Sequence, residues 1–320
     1  MATHYLDDTQ PHAFWDQTLS PRLAIGPGET VVFETLEASA NQITPQSTVV
    51  EMSALSFDPI HPLTGPVFVE GAEPGDTLEV EILDLQHKGW GWNGVIPGFG
   101  LLSDDFLHPY LHHYPLVGRE CIFRDDIRIP FEPFCGVMGV GPQESGRLNT
   151  TPPRTNGGNI DIRHLTPGTR VFFPVHVAGA LFSCGDCHAA QGDGEVNGTG
   201  IETPMTVTLR FQLHKGRSIR ELRFVTAPHQ RLTVADELGY FVTTAHGPDL
   251  FTNSQNAIRY QIDYLTAEHA MSPEQAYSLC GAAVDLKISE VVDAPHWIVS
   301  AYLPLSIFAR FRAQGGFISI

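Results

Sequence analysis

Short β-prone runs separated by proline–glycine turns fill the first two-thirds of this 320-residue chain, and that rhythm restricts the folds open to it. Val31–Glu37, Val67–Glu70, Thr77–Leu83, Val171–Val177 and Thr206–Leu213 are each rich in β-branched and aromatic residues. Pro27-Gly28, Pro74-Gly75-Asp76, Pro97-Gly98 and Pro167-Gly168 supply the turn signals. Thr77–Leu83 and Thr206–Leu213 alternate with period two, which implies one wet and one dry face. Pro-Gly followed by Asp or Thr stands ahead of a strand at both 74 and 167, as the entry turn of two similar β units would. The 24 prolines and 30 glycines are too scattered to mark a linker or a low-complexity segment.

After about residue 230 the texture changes. Asn253 to Ala270 reads as a helix, with Ile258, Ile262 and Leu265 on one stripe and Asn253 or Ser254 as N-cap. Ser272-Pro273-Glu274 starts a second helix running to about Ala283, with Pro at the first helical position. The strands Asp285–Glu290 and His296–Leu303 follow. The expected fold is α+β and mainly β. A β-sandwich or barrel body over 1–230 carries most of the active site, and a C-terminal strand–helix–helix–strand layer over 231–320 packs on it without being marked as an independent domain.

Bulk charge narrows the partners. With 36 acidic against 19 basic residues the net charge is −17, which repels phosphate backbones and anionic membranes and favours a neutral or cationic small molecule. No run of 18 or more uncharged apolar residues offers a membrane span, and the first residues lack a secretory signal, so the cytoplasm is the expected location. Five cysteines, an odd number, do not read as a disulfide framework. Cys184 and Cys187 form a Cys-x-x-Cys, but no second such pair follows at zinc-ribbon spacing and no thioredoxin-like strand–motif–helix surrounds it. Two small packed thiols are the simpler reading.

One segment stands apart. Between positions 186 and 195 the chain places Asp186, Cys187, His188, Asp193 and Glu195 among Gly, Ala and Gln spacers, in a protein with only 17% charged residues. Such a cluster binds a metal or moves protons, and it is costly to bury otherwise.

This segment and several others, in matching order, resemble the acetamidase/formamidase family. The shared stretches are His61–Pro66, Val69–Asp76, Gly136–Pro142, Gly157-Gly158-Asn159-Ile160-Asp161, Gly185–Glu195 and the late strand ending Tyr302-Leu303-Pro304. The resemblance runs from roughly 20 to 310 and is most specific through Ala178 to Glu202. It implies a β-sandwich-rich, cytoplasmic homo-oligomer that releases ammonia from a short aliphatic amide. It also implies a metal-dependent hydrolase, unrelated to the cysteine-nucleophile amidases.

Amide hydrolysis needs a polarised carbonyl, a nucleophilic water and a protonated leaving amine, and a divalent cation supplies the first two. Asp186 and His188 are two apart, so on an extended backbone both project to one side and can grip one ion. Asp161, after paired glycines and sharing a strand face with Asn159, is the third candidate. A His/Asp/Asp set with one open position suits zinc, and its carboxylates leave calcium or another hard cation open. Each also has a plainer reading: Asp186 as a turn carboxylate, His188 as a hydrogen-bonded structural histidine, Asp161 as a cap on the turn to His164.

Glu144, on the Gly-flanked loop 141–146, is the candidate general base, with Glu195 and Glu202 as alternatives. Glu202 is expected to begin a strand. His61 can donate to the substrate oxygen or line the pocket, whereas His176, in an apolar strand, reads as a core histidine. Lys88–Gly98, with Trp90, Trp92 and four glycines, reads as a loop that either shrinks the pocket or anchors itself to the body. His112-His113 reads as surface or interface. Two rival functions keep the same fold: hydrolysis of a larger or cyclic amide, and a non-catalytic β-rich binding protein.

Overall fold

Residues 2–99, 107–124, 127–191, 195, 198–228, 239–271, 285–305 and 308 are described by the structure, a computed structural model. The largest sheet has nine strands. Their order is β1 (Thr3–Leu6), β3 (Thr30–Thr35), β14 (Met205–His214), β5 (Thr77–His87), β12 (Arg170–Pro174), β15 (Arg223–Val225), β16 (Tyr240–Gly247), β18 (Trp297–Pro304) and β17 (Asp285–Glu290). A second sheet runs β11 (Gly157–Asn159), β10 (Phe134–Gly139), β13 (Phe182–His188), β4 (Leu63–Val69) and β2 (Leu23–Ile25). A third comprises β6 (Trp90–Val95), β7 (Tyr110–Val117), β8 (Glu120–Arg124) and β9 (Ile127–Pro130). Two helices, α1 (Val49–Ser53) and α2 (Leu250–His269), complete the described elements, so the body is mainly β as expected.

Period-two patterning decides which faces meet. Along β14, Met205, Val207, Leu209 and Phe211 are buried while Thr206, Thr208, Arg210 and Gln212 are half-buried. β5 and β3 flank β14 on either side, both antiparallel. Phe33, Phe173 and Phe211 of this sheet converge edge-on upon Phe182 of the second sheet, at ring separations of 6.1, 5.8 and 5.2 Å. That aromatic contact is the centre of a sheet-on-sheet core. Removing the fully buried Phe182 ring would cost about 3–5 kcal/mol. β10 and β13 are buried on both faces, and neither sequence alternates: β10 is small and apolar, whereas β13 carries Asp186 and His188 into the interior.

Two expectations are corrected here. Lys88–Gly98 is not simply a loop: Trp90–Val95 form strand β6, paired along its length with β7. Its glycines serve close packing, since a Cβ on Gly91 would stand 2.9 Å from the Glu202 carbonyl and one on Gly94 2.5 Å from Met52 Cε. Helix α2 begins three residues before the expected cap, because Asp249 takes that role and accepts from Thr252 N at 2.6 Å. Asn253 is instead buried, donating to the carbonyls of Gly247 and Trp297. The helix expected from Ser272 to Ala283 lies outside the described residues. α2 packs on β16 and β18 through Ala257 against Ala245, Val299 and Ala301. No helix of the described residues is long and apolar enough to cross a membrane.

Candidate active site

Strand β13 delivers two of the three candidate ligands. It is not regular at that point: Asp186 adopts φ +51, outside the extended region assumed from the two-residue spacing. The side chains still meet, with His188 Nε2 3.6 Å from Asp186 Oδ1. Asp161, at φ +41, enters from the end of β11, beyond the strand it was expected to share with Asn159, and its Oδ1 is 3.9 Å from His188 Nδ1. Across the sheet, Gly136 makes room for both carboxylates. A Cβ there would lie 2.6 Å from Asp161 Oδ1 and 2.8 Å from Asp186 Oδ2. Only a glycine admits two charged side chains at that distance.

Other groups reach the same place. Glu202 Oε2 stands 3.1 Å from His188 Nε2, and Glu195 Oε1 stands 4.0 Å from it. Glu202 forms an isolated bridge rather than beginning a strand, β14 starting at Met205. His61, at φ +58, holds Nε2 3.8 Å from Asp186 Oδ2. Asp293 closes the far side, its carboxylate accepting from Asn159 Nδ2. Among the described residues, three sets of ligand-type side chains have all their donor atoms within 4.8 Å of one another: Asp161/Asp186/His188, His188/Glu195/Glu202 and Asp161/Glu195/Asp293.

The electrostatics follow from the five buried carboxylates that face two imidazoles among the described residues, which leave out Asp193. Burial pushes the Asp161, Glu195 and Asp293 carboxyls well above the usual range, and neighbouring carboxylates push them further. Burial also raises Glu202, to about 7. Asp186 goes the other way, to about 2, because His61 and His188 outweigh its own burial. Burial would lower His188, but the Glu202 and Asp186 charges hold it well above an ordinary histidine. His61 is lowered by burial.

Hydrogen bonding orients the ligand set. His188 Nδ1 lies 2.8 Å from Gln191 Oε1, and Gln191 Nε2 donates to the Asp161 carbonyl at 3.1 Å. An amide oxygen accepts only, so Nδ1 carries a hydrogen and Nε2 is turned toward the carboxylates. Asp161 Oδ1, Glu202 Oε2, Asn159 Oδ1 and His61 Nδ1 are buried without a hydrogen-bond partner. Orphaned oxygens of this kind, in surplus over the positive groups beside them, fit a divalent cation. His188, Asp186 and Asp161 would hold it, with Glu202 and Glu195 within reach.

The cavity over this cluster has a volume of about 50 Å³, room for a few waters or one short amide. The charged cluster supplies its polar lining. Its apolar lining, Leu55, Trp92, Ile96 and Phe99, packs as one cluster that Phe57 joins through the Phe99 ring.

The remaining candidates fall elsewhere. Glu144 is exposed on its loop and does not line the cavity, so it is not among the carboxylates gathered there. The loop is anchored at its start by Gly141 N to the Ala180 carbonyl and then runs outward past Pro142. His176 lies beyond Pro174, where β12 ends, and is half-buried rather than set in a strand. His113 packs its Nε2 2.8 Å from the Ser47 carbonyl on β7. Cys184 and Cys187 are buried free thiols, and neither lines the cavity. Contact with Cys135 and burial push the Cys187 thiol far up, away from the thiolate a nucleophile needs.

Sequence reasoning missed Asp293 and Gln191. Gln191 lay inside the singled-out segment, three residues after His188, and could have been found. Asp293 carries no local signal, since it follows Asp161 by more than a hundred positions.

Comparison with known proteins bears on the family and the fold. The Acetamidase/Formamidase family profile matches residues 2–148 and 143–310. A formamidase of Methylophilus methylotrophus is 30% identical, covering 94% of this chain and 90% of that protein. The crystal structure of an acetamidase from Bacillus halodurans superposes with a TM-score of 0.86 at 31% identity, covering 98% of this chain and 100% of that one. A gamma lactamase from Delftia acidovorans superposes less closely, with a TM-score of 0.68 at 27% identity over 96% of this chain and 94% of that one. Matching on profile, sequence and fold, the chain belongs to the acetamidase/formamidase family and is an amidase.

Proposed function

We propose that this amidase cleaves a short aliphatic amide of the formamide or acetamide type to carboxylate and ammonia, with a divalent cation held by Asp161, Asp186 and His188. The observation that carries the reading is convergence. Ligand-type side chains from β13 and from beyond β11 meet in one buried cavity with more carboxylate than positive charge. A bound cation there supplies Lewis-acid polarisation of the carbonyl and lowers the pKa of a water toward about 7. The His/Asp/Asp donor set favours zinc, with calcium or another hard cation as the alternative.

The chain's own groups do the rest. Glu202 is held rigidly, its N and O both bonded to the Trp92 backbone at 2.7 and 2.9 Å, and its Oε2 faces the cluster 3.1 Å from His188 Nε2. It takes a proton from the attacking water and returns it to nitrogen as the C–N bond breaks, with Glu195 the alternative carboxylate. His61 donates to the amide oxygen as negative charge develops on it. Gln191 keeps His188 turned toward the cluster. The small cavity and its apolar lining support a substrate of few atoms. The family resemblance supports a cytoplasmic homo-oligomer.

The test is ammonia release from formamide, acetamide, propionamide and a five-membered cyclic amide, with and without chelator, alongside elemental analysis. Release from the linear amides that chelator abolishes and the ion restores is the expected result. Turnover that ignores the chelator removes the metal from the scheme. Preference for the cyclic amide favours the second reading, which the likeness to a gamma lactamase supports. Silence on every amide returns the chain to a binding role.

A further inference from the structure

Glu37 is a buried carboxylate that no step above uses. It lies two residues past β3, fully buried, and both its oxygens are saturated by donors. Oε1 accepts from Ser39 Oγ at 2.7 Å and from Asn41 N at 2.5 Å. Oε2 accepts from Ser39 N at 2.9 Å and from Trp92 Nε1 at 2.8 Å. The Ser39 hydroxyl itself accepts from Ile43 N at 2.9 Å, so its hydrogen is committed to Glu37. A glutamine cannot reproduce this arrangement. Whichever way its amide sits, the NH2 faces at least one backbone or indole N–H. The nest is built for an anion.

What that anion holds is the wall of the reaction cavity. Trp92 is fixed at two ends. Its backbone is bonded to Glu202 in both directions, at 2.9 and 2.7 Å, and its indole is tied to Glu37. Ile43 and Met52 back the ring in one apolar cluster. Ala38 also lines the cavity, and its carbonyl accepts from the His61 amide at 2.9 Å. Glu37 therefore ties down the Trp92 indole, while the Trp92 backbone is joined to Glu202 of the polar cluster. An amide whose carbonyl sits at the cluster must aim its acyl chain at that wall.

We propose that the Glu37–Trp92 pair is the specificity-determining element of this enzyme: an indole clamped by a buried carboxylate closes the acyl end of the cavity and confines hydrolysis to the shortest amides. Glu37 is a positioning residue and acts through Trp92. The inference rests on the amidase reading of the preceding subsection, and its test separates the two.

The full-length protein and its variants Trp92→Ala, Trp92→Phe, Glu37→Gln and the Glu37→Gln/Trp92→Phe double variant are assayed on formamide, acetamide, propionamide and butyramide, with metal content measured on each. One methylene in an apolar pocket is worth roughly 10–200-fold in kcat/KM. Trp92→Ala therefore raises the propionamide-to-acetamide ratio of kcat/KM by about tenfold or more. Trp92→Phe and Glu37→Gln each shift the ratio in the same direction by less. Glu37→Gln adds nothing to Trp92→Phe, because both cut the same bond. A ratio that stays at the wild-type value in Trp92→Ala, with metal bound and formamide still turned over, overturns the proposal. So does a Glu37→Gln that slows every amide alike and adds fully to Trp92→Phe, since that is a stability effect. If Glu37→Gln does not fold, the two Trp92 variants decide the matter. A wild-type protein inactive on all four amides refutes the amidase reading instead.

Discussion

Gly200→Ala tests whether His188 must stand where it does. Gly200 does not occupy the left-handed region that favours glycine, so the effect is steric. A Cβ there would lie 2.4 Å from His188 Nδ1 and 2.6 Å from its Cγ, whereas ordinary contact is about 3.5 Å. Something must move by about 1 Å. The backbone is pinned on both sides, by Asn93 Nδ2 on the Thr199 and Gly200 carbonyls and by Ile201 N on the Ala190 carbonyl. The imidazole is confined as well, by the Phe134 ring at 5.1 Å and by Gln191 on Nδ1. The ring therefore gives way, and its Nε2 shifts relative to Asp186 and Glu202. A misplacement of 1 Å at a reacting centre costs about 10²-fold, or about 2.7 kcal/mol of transition-state stabilisation. The assay is kcat/KM for acetamide with metal content, using far-UV circular dichroism to check the fold. Gly118→Ala is the control. It sits in the β7–β8 turn at φ +62 with nothing within 4 Å, so it costs about 1 kcal/mol of stability and leaves turnover untouched. Wild-type kcat/KM and metal content in a folded Gly200→Ala protein would show that His188 plays no part in the chemistry.

Three other perturbations separate site from scaffold. Asp186→Asn removes the one strongly acidic carboxylate of the cluster, so bound metal and kcat should both fall, by 10²-fold or more in rate. Full metal content in that variant would count against the ligand role. Cys187→Ala should keep most of its turnover and lose about 1 kcal/mol of stability, because the thiol only packs against Cys135 and Thr35; an inactive but folded variant would revive a thiol nucleophile. Asp76 fastens the Pro-Gly-Asp turn by accepting from Glu73 N, Gly216 N and Lys215 Nζ, and these bonds hold its carboxyl below the usual range despite burial. A depressed carboxyl stabilises the fold above its unfolded value of 3.8 and loses that contribution as pH falls through its folded value. Asp76→Asn should therefore cost about 1–3 kcal/mol at pH 7 and flatten the stability loss below pH 4 in chemical-denaturation curves. An unchanged acid limb would show that the turn is held by other contacts.

What was legible in the sequence was what neighbouring residues encode. The alternation of Thr206–Leu213 placed β14 and its two faces correctly because one strand's pattern suffices to say which side is dry. The helix around Ile258 to Leu265 was legible for the same reason, but its start was not. Asp249 and Asn253 are equally good cap types, and only the burial of Asn253 against Gly247 and Trp297 separates them. Glycines in Trp90–Val95 were read as loop punctuation, although they mark places where Glu202 and Met52 press against a strand. Composition cannot distinguish a glycine that bends from one that lets a neighbour in.

The site was half legible for a related reason. Asp186 and His188 stood out because charged and imidazole groups are rare among glycine and alanine, yet the two do not meet on an extended backbone. Asp186 leaves the strand conformation, and the pair converges because Gly136 lies opposite. That placement depends on register. β10 pairs with β13 as Cys135 with Cys187 and Val137 with Gly185, and it pairs with β11 as Val137 with Asn159. A slip of one residue would set Cys135 or Val137 against Asp186 and leave no room for either carboxylate. Nothing local in Gly136–Gly139 announces this. The gathering of these side chains is thus a property of three strands in register, and the sequence motif is only the part of it that falls on one strand.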